Sequence, residues 1–262
     1  MTTPESPPGF VVRTEAQKAA FDNGFRIERG SENGWMRFAS ATAWGDIWVA
    51  GASFVGPWLL SVSHPGVAAE LGPTAPDVEG PGLARFVFSS LPELYAGVAR
   101  AYRLGVSLPK APLEQFRKTA DNLPRTTEAE RLVVQRIGQD IFRAALLKYW
   151  NGRCPLTGIA DPALLRGSHI VPWAECDDDA QRLDVHNGLL LSALWDAAFD
   201  AGRVSFADDG EVLMHPCLVA TDRQVLLDHA APRLDGLTPK HHANLARHRA
   251  KAGFEKTIDT AL

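Results

Sequence analysis

The chain is predicted to be an α+β protein built in two parts. Short apolar runs punctuated by glycine fill the first hundred residues, as strands do. Two stretches, Leu91 to Leu104 and Glu128 to Trp150, carry apolar residues at helical spacing. Between them, residues 105–127 hold Pro109, Pro112 and Pro124, which break both patterns. The expected organisation is an N-terminal α+β domain over 1–108, a linker over 109–127 and a C-terminal domain over 128–262.

Composition limits what such a chain can be. A length of 262 residues suits one large or two modest domains. No apolar run approaches the ~20 residues of a membrane span, so no membrane partner is expected. The first residues, MTTPESPPGF, lack a basic and an apolar region, so no secretion signal is expected. Cys154, Cys176 and Cys217 form no paired spacing, which suits a reducing cytoplasm without disulfides. The net charge is −4, so contact with a nucleic acid must come from local basic patches.

In chain order, residues 1–10 read as a disordered end or short arm. Ala16 to Phe25 reads as a short helix. Strands are expected at Trp35–Phe38, Ile47–Ala50 and Trp58–Val62, with a turn at Phe54–Pro57. A long loop rich in proline and glycine follows over 63–82. Ala84–Phe88 is a fourth strand, and Leu91–Leu104 an amphipathic helix. A short helix, Leu113 to Asp121, is expected inside the linker. Thr127 and Glu130 have capping-box spacing and open the long helix to Trp150. On that helix the apolar Val133, Ile137, Ile141 and Ala144 share one face. Arg136, Gln139 and Arg143 lie on another, which reads either as a solvated face or as a phosphate-gripping ridge.

Spaced blocks in the C-terminal half carry a resemblance. The string RxGQxxFRxxLLxYxxxxC, Arg136 to Cys154, is followed by TG, by SHIxPW from Ser168, by NGLLL from Asn187 and by DxxFDxG from Asp196. These blocks, over about residues 126–255, resemble the HNH endonuclease superfamily, in particular restriction-type HNH domains. The resemblance implies a ββα-metal fold. Leu164–Ile170 would be its first strand, Asn187–Leu191 its second, and Leu191–Ala201 its helix, with Asp196 and Asp200 on one face.

Each residue has a role under that resemblance. Histidine titrates near neutral pH, so His169 suits a general base. Asn187, which could otherwise be a plain turn residue, would tie the loop that orients the base. Asp196 offers the hard oxygen that Mg²⁺ or Mn²⁺ prefers, with Asp200 as a second candidate. Many relatives place Asp or His directly before the base. Here that position is Ser168, which would hold the ion through water unless Asp184, Asp200 or His186 helps. Cys154 has Thr157 where a second thiol of a zinc pair would stand, so no structural zinc is expected and Cys154 reads as a small buried apolar residue. Leu237–Lys251 reads as a basic helix capped by Thr238 with Pro239 at its first position. Its Arg247 and Arg249 are candidate phosphate contacts, and its His241–His242 pair is a weaker metal candidate.

The implied activity is a metal-dependent DNA endonuclease of restriction type, leaving 3′-hydroxyl and 5′-phosphate ends. The N-terminal domain would read the target, modified bases included. Trp35, Trp44, Trp48 and Trp58 are either core aromatics or a platform for a base. Two other readings stay open: a DNA-binding protein whose nuclease half has decayed, with Ser168 as the symptom, and an RNA-directed or toxin nuclease. The expected partner is double-stranded DNA. One base and one metal cut one strand, so a homodimer on DNA is expected.

Overall fold

A computed structural model describes residues 2–120, 123–124, 126–228 and 230–254. The chain divides into two compact units, Met1–Ala111 and Pro112–Leu262. The expected end of the linker helix at Asp121 and the last residues of the C-terminal domain, 255–262, lie outside the described residues.

The first unit is a five-stranded antiparallel meander with helices on one face. Its elements are α1 (Phe10–Asp22), β1 (Ile27–Glu32), β2 (Trp35–Ala39), β3 (Ile47–Gly51), β4 (Trp58–Val62), α2 (Pro65–Glu70), β5 (Ala84–Phe88) and α3 (Leu91–Ser107). Register puts Met36 beside Val49, Val49 beside Leu60 and Leu60 beside Phe86, so these four share one face. Onto it pack α1, through Val12, Ala16, Ala19 and Ala20, and α3, through Leu94, Val98 and Ala101. Small residues let the helices come close. A Cβ on Gly97 would sit 2.4 Å from the Phe88 ring. Each large side chain buried here contributes roughly 1.5–3 kcal/mol.

The other face holds Trp35, Ala50 and Leu59, which cluster with Val78 from the loop before β5. That loop is stitched down by Ala75 N–H to the Arg85 carbonyl and Leu83 N–H to the Val62 carbonyl, both at 2.7 Å. Trp35 and Trp58 are therefore core residues, 3% and 1% exposed. Trp48 is half-buried with the Arg37 guanidinium 5.3 Å from its ring, and Trp44 is exposed under the Lys110 ammonium at 4.0 Å.

Four expectations are corrected in this unit. β1 is a fifth strand. Its six residues are all exposed, so it shows no alternation to read. A bulge sets Arg29 and Gly30 against Arg37 alone, with Gly30 at φ +93°. α1 begins at Phe10 rather than Ala16. The segment before it is pinned, with Glu5 N–H on the Gly51 carbonyl at 2.8 Å. Inside the expected 63–82 loop, His64 caps α2 by accepting from Val67 N–H at 3.2 Å.

The second unit holds most of α4 (Lys110–Ala120) and then α5 (Glu128–Tyr149), β6 (Leu165–His169), α6 (Asp179–Arg182), β7 (Gly188–Ser192), α7 (Ala193–Asp200), β8 (Val204–Phe206), β9 (Val212–Met214), α8 (Ala220–Leu227) and α9 (Pro239–Ala252). The capping box at Thr127 and Glu130 is formed in both directions. β6 and β7 pair antiparallel from Leu165↔Ser192 to His169↔Gly188, and α7 follows directly. The strand–strand–helix order is as expected, with ends shifted by a residue or two. α5 and α7 both pack on this hairpin, and α9 packs on β8 and on the turn at Val185–Asn187. The buried face of α5 is Val134, Gly138, Ile141, Phe142, Ala145 and Leu146. The apolar face read from spacing is not the one that packs inward: Val133 and Ala144 are exposed, and only Ile141 belongs to both sets. No helix among the described residues is long and apolar enough to cross a membrane.

Candidate active site

Neighbouring residues of a strand point to opposite faces, and the end of β6 uses both. His169 turns toward α5, where its ring stacks on Phe142 at 3.8 Å and 20°. Ser168 turns toward α7, where its hydroxyl donates to Asp200 Oδ1 at 3.2 Å. The Trp173 indole meets the edge of the His169 ring at 5.7 Å and lies over Gly138, where a Cβ would come within 2.2 Å of it. Glycine at this position of α5 makes room for that indole.

His169 Nε2 lies 2.9 Å from the Arg182 carbonyl oxygen. A carbonyl only accepts, so the proton is on Nε2 and the lone pair is on Nδ1. Burial lowers the His169 pKa from the usual histidine value, and the bond to Arg182 partly offsets this. The ring is thus held neutral, with Nδ1 able to take a proton. Arg182 anchors its own carbonyl: its side chain donates to the carbonyls of Trp173 and Cys176 and pairs with Asp179 at 2.8 Å.

Asn187 is fully buried. Its Oδ1 accepts from Val171 N–H at 2.8 Å, and its Nδ2 donates to the Val171 and Gln181 carbonyls and to Cys176 Sγ. Its own carbonyl accepts from Ile170 N–H at 3.0 Å. One amide thereby ties both ends of the segment joining β6 to β7. The same segment carries the carbonyl that sets the tautomer of His169.

Asp196 and Asp200 stand one turn apart on α7. Burial raises the pKa of both. The charge of Asp196 raises that of Asp200 further, while Ser168 acts in the opposite direction on each. Two carboxylates that repel each other beside a hydroxyl form a hard-oxygen donor set, which fits one divalent cation completed by water. No group of three or more His, Cys, Asp or Glu side chains that could hold a metal converges among the described residues, this cleft included, so water would have to supply the remaining ligands.

These groups line one cleft of about 970 Å³. It brings together Ser168, His169, Asp196, Asp200, Arg136, Gln139 and Arg143. Arg136 is exposed, 3.6 Å from Asp140. Arg143 is half-buried and donates to the Leu165 and Pro162 carbonyls at 2.9 and 2.6 Å, so it holds the start of β6 as well as lining the cleft. Asn187 stands behind the wall. Arg247 and Arg249 are not in the lining. Arg249 grips the Phe206 carbonyl and Asp208. The alternative ligands Asp184 and His186 bond to each other at 2.7 Å, the His186 ring faces Tyr149 and His241, and neither residue lines the cleft. His241 is buried and its Nδ1 accepts from Thr238 N–H at the start of α9.

Among the lining residues that the sequence reading did not name as candidates are Arg166, Trp173, His248 and Lys251. The signal for His248 was its spacing. His241, Leu245 and His248 fall at i, i+4 and i+7 of α9, the stripe that packs inward.

A two-stranded hairpin running into a helix, with histidine at the end of the first strand and carboxylates on the helix, is a ββα arrangement. Residues 154–207 match the family model described as HNH endonuclease, so the C-terminal half carries an HNH endonuclease domain. A domain of this family points to nuclease, that is hydrolase, chemistry on nucleic acid, and HNH nucleases generally use a divalent metal. No curated protein matches the chain.

Proposed function

We propose that the protein is a metal-dependent DNA endonuclease of restriction type. The observation that carries this reading is the pairing, in one cleft, of a neutral histidine whose Nδ1 keeps its lone pair with two repelling carboxylates on α7. Nδ1 of His169 takes the proton from the attacking water as the oxygen closes on phosphorus. The Arg182 carbonyl stabilises the resulting imidazolium through Nε2–H. Asn187 keeps that carbonyl in place. Asp196 and Asp200, with Ser168 between them, would hold Mg²⁺ or Mn²⁺, which supplies positive charge where the phosphate and the leaving 3′ oxygen become more negative. The products would carry 3′-hydroxyl and 5′-phosphate ends. Arg136 and Gln139, exposed on α5, would meet the backbone of the substrate.

The first unit would select the target. Its candidate contacts are the two cation-capped rings, Trp44 and Trp48, since Trp35 and Trp58 are consumed by the core. Each site would cut one strand, so a homodimer on double-stranded DNA would make a duplex break. The test is incubation of wild-type and His169→Ala protein with plasmid, modified plasmid and RNA, with Mg²⁺, with Mn²⁺ and with chelator. Metal-dependent cleavage of DNA by the wild type alone supports the reading. Cleavage of RNA only would make the chain an RNase, and no cleavage of any substrate would favour a DNA-binding protein with a silent nuclease half.

A further inference from the structure

α7 has only eight residues, with Asp196 in its first turn and Asp200 as its last residue. The last carbonyls of any helix lack intrahelical partners. At this end the Phe199 carbonyl is met twice, by Gly202 N–H at 2.8 Å and by His248 Nε2 at 3.1 Å. The His248 ring also lies flat on the Phe199 ring, 3.9 Å away and tilted by only 7°. Its other nitrogen, Nδ1, is 3.0 Å from the hydroxyl of Ser205, a fully buried residue of β8. A single imidazole therefore joins α9, the end of α7 and the middle of β8. It does so on the cleft wall, beside Asp200, Ala201 and Gly202.

The tautomer follows from the partners. The Phe199 carbonyl only accepts, so Nε2 carries the proton and Nδ1 accepts from the Ser205 hydroxyl. With both nitrogens engaged, the ring has no free position for proton transfer to substrate. Its hold on α7 is the remaining role. Phe199 directly precedes Asp200 and follows Asp196 by three residues. Any roll or fraying of the end of α7 would change the separation of the two carboxylates.

We infer that His248 is a positioning residue for the cation site, fixing through Phe199 the spacing of Asp196 and Asp200. The inference rests on the reading that these two carboxylates hold the ion. α9 is then part of the frame of the metal site, although it supplies no ligand. Groups that orient metal ligands from behind are commonly worth about 10–100-fold in affinity.

The test is Mn²⁺ titration of the full chain without nucleic acid, following the free-ion signal by electron paramagnetic resonance. His248→Phe keeps the flat ring but removes both hydrogen bonds, and should weaken Mn²⁺ binding about 10-fold or more. His248→Gln can still donate to the Phe199 carbonyl, and should recover most of that loss. Melting of each metal-free variant shows whether it folds. If His248→Phe does not fold, Ser205→Ala serves instead, since it frees the ring at Nδ1 and should weaken binding in the same direction. Wild-type affinity in a folded His248→Phe or Ser205→Ala, or loss in His248→Gln equal to that in His248→Phe, would overturn the inference alone. No Mn²⁺ uptake by the wild type, or uptake unchanged by Asp196→Ala, would remove the site reading and this inference with it.

Discussion

Phe142 and His169 lie face to face, 3.8 Å between ring centres, although one belongs to the long helix and the other to the strand that the helix covers. The contact fixes the plane of the imidazole, and the Arg182 carbonyl fixes its rotation in that plane. The imidazole proposed as the base is therefore held in one orientation by the fold itself. His169→Ala should lower cleavage by at least ~10²-fold while leaving DNA affinity near wild type, because the loss is in the chemical step. Nicking assays paired with a binding titration check this. Nicking at the wild-type rate would take His169 out of the mechanism.

Gly138→Ala should disturb the same base from a distance. The new methyl would meet the Trp173 ring at 2.2 Å, so the indole must leave its seat beside His169. Overpacking of this kind costs roughly 1–3 kcal/mol. The expected outcome is a lower melting temperature together with slower cleavage. Combining it with Trp173→Leu, which vacates the seat, should cost less than the two changes summed. A strictly additive pair would mean that the methyl is accommodated elsewhere.

The legibility of the site in the sequence follows from how local each part is. Ser168, His169, Asp196 and Asp200 sit on the hairpin and the helix that follows it, with Asn187 at the turn between, so their spacing along the chain reflects their arrangement around the cleft. His248 and Lys251 arrive from a helix some fifty residues later in the chain, and no local pattern announces that they close the same cleft. The apolar face read from spacing on α5 is not the buried one, because Val133 and Val134 are adjacent valines that fit two helical phases equally well. Phe142, which the chosen phase left out, settles the matter by packing against His169 and beneath Gly188. In the first unit, strands with alternating or wholly apolar residues were readable. β1 was not, since Ile-Glu-Arg-Gly-Ser-Glu lies on the outside throughout.

Asn187→Ala should be among the most destabilising single changes in the second unit. It removes the acceptor for Val171 N–H and leaves that donor buried. The cost of one such orphaned group is about 1–3 kcal/mol, before the other bonds of the amide are considered. Asn187→Asp should not rescue it, because a carboxylate cannot donate to the Val171 and Gln181 carbonyls. Urea denaturation of the three proteins compares them directly. Recovery of stability in the Asp variant would show that only the acceptor matters.

The capping box of α5 predicts an acid dependence with a definite sign. Glu130 is held below the usual carboxylate pKa, first by the Thr126 hydroxyl and then by Thr127 N–H. A depressed folded-state pKa means that the ionised carboxylate favours the folded chain. Its contribution is fully present above the ordinary glutamate value and is lost as pH falls through the lowered one. Glu130→Ala should therefore melt below wild type at pH 7, and the gap should shrink in acid. A gap independent of pH would trace the effect to helix propensity instead.

Asp200→Asn should separate stability from function. Without metal it removes a like charge one turn from Asp196, so the apo protein should melt slightly higher, by at most ~0.5 kcal/mol in stability. With Mn²⁺ present, the wild type should gain stability by mass action and the variant much less. Paired melts with chelator and with Mn²⁺ measure both effects. Equal stabilisation of both proteins by Mn²⁺ would take Asp200 out of the ion site.

The bulge in β1 bears on a different hazard. A sheet edge with a free row of amides and carbonyls invites another strand to add to it, and from there to template fibrils. On this edge Arg29 and Gly30 kink the row out of register, and Glu28, Arg29 and Glu32 place both signs of charge along it. An incoming flat strand would meet a broken ladder and solvated charges. The feature that hid this strand from a pattern reading thus gives the outer edge of the first sheet built-in protection against edge-to-edge aggregation.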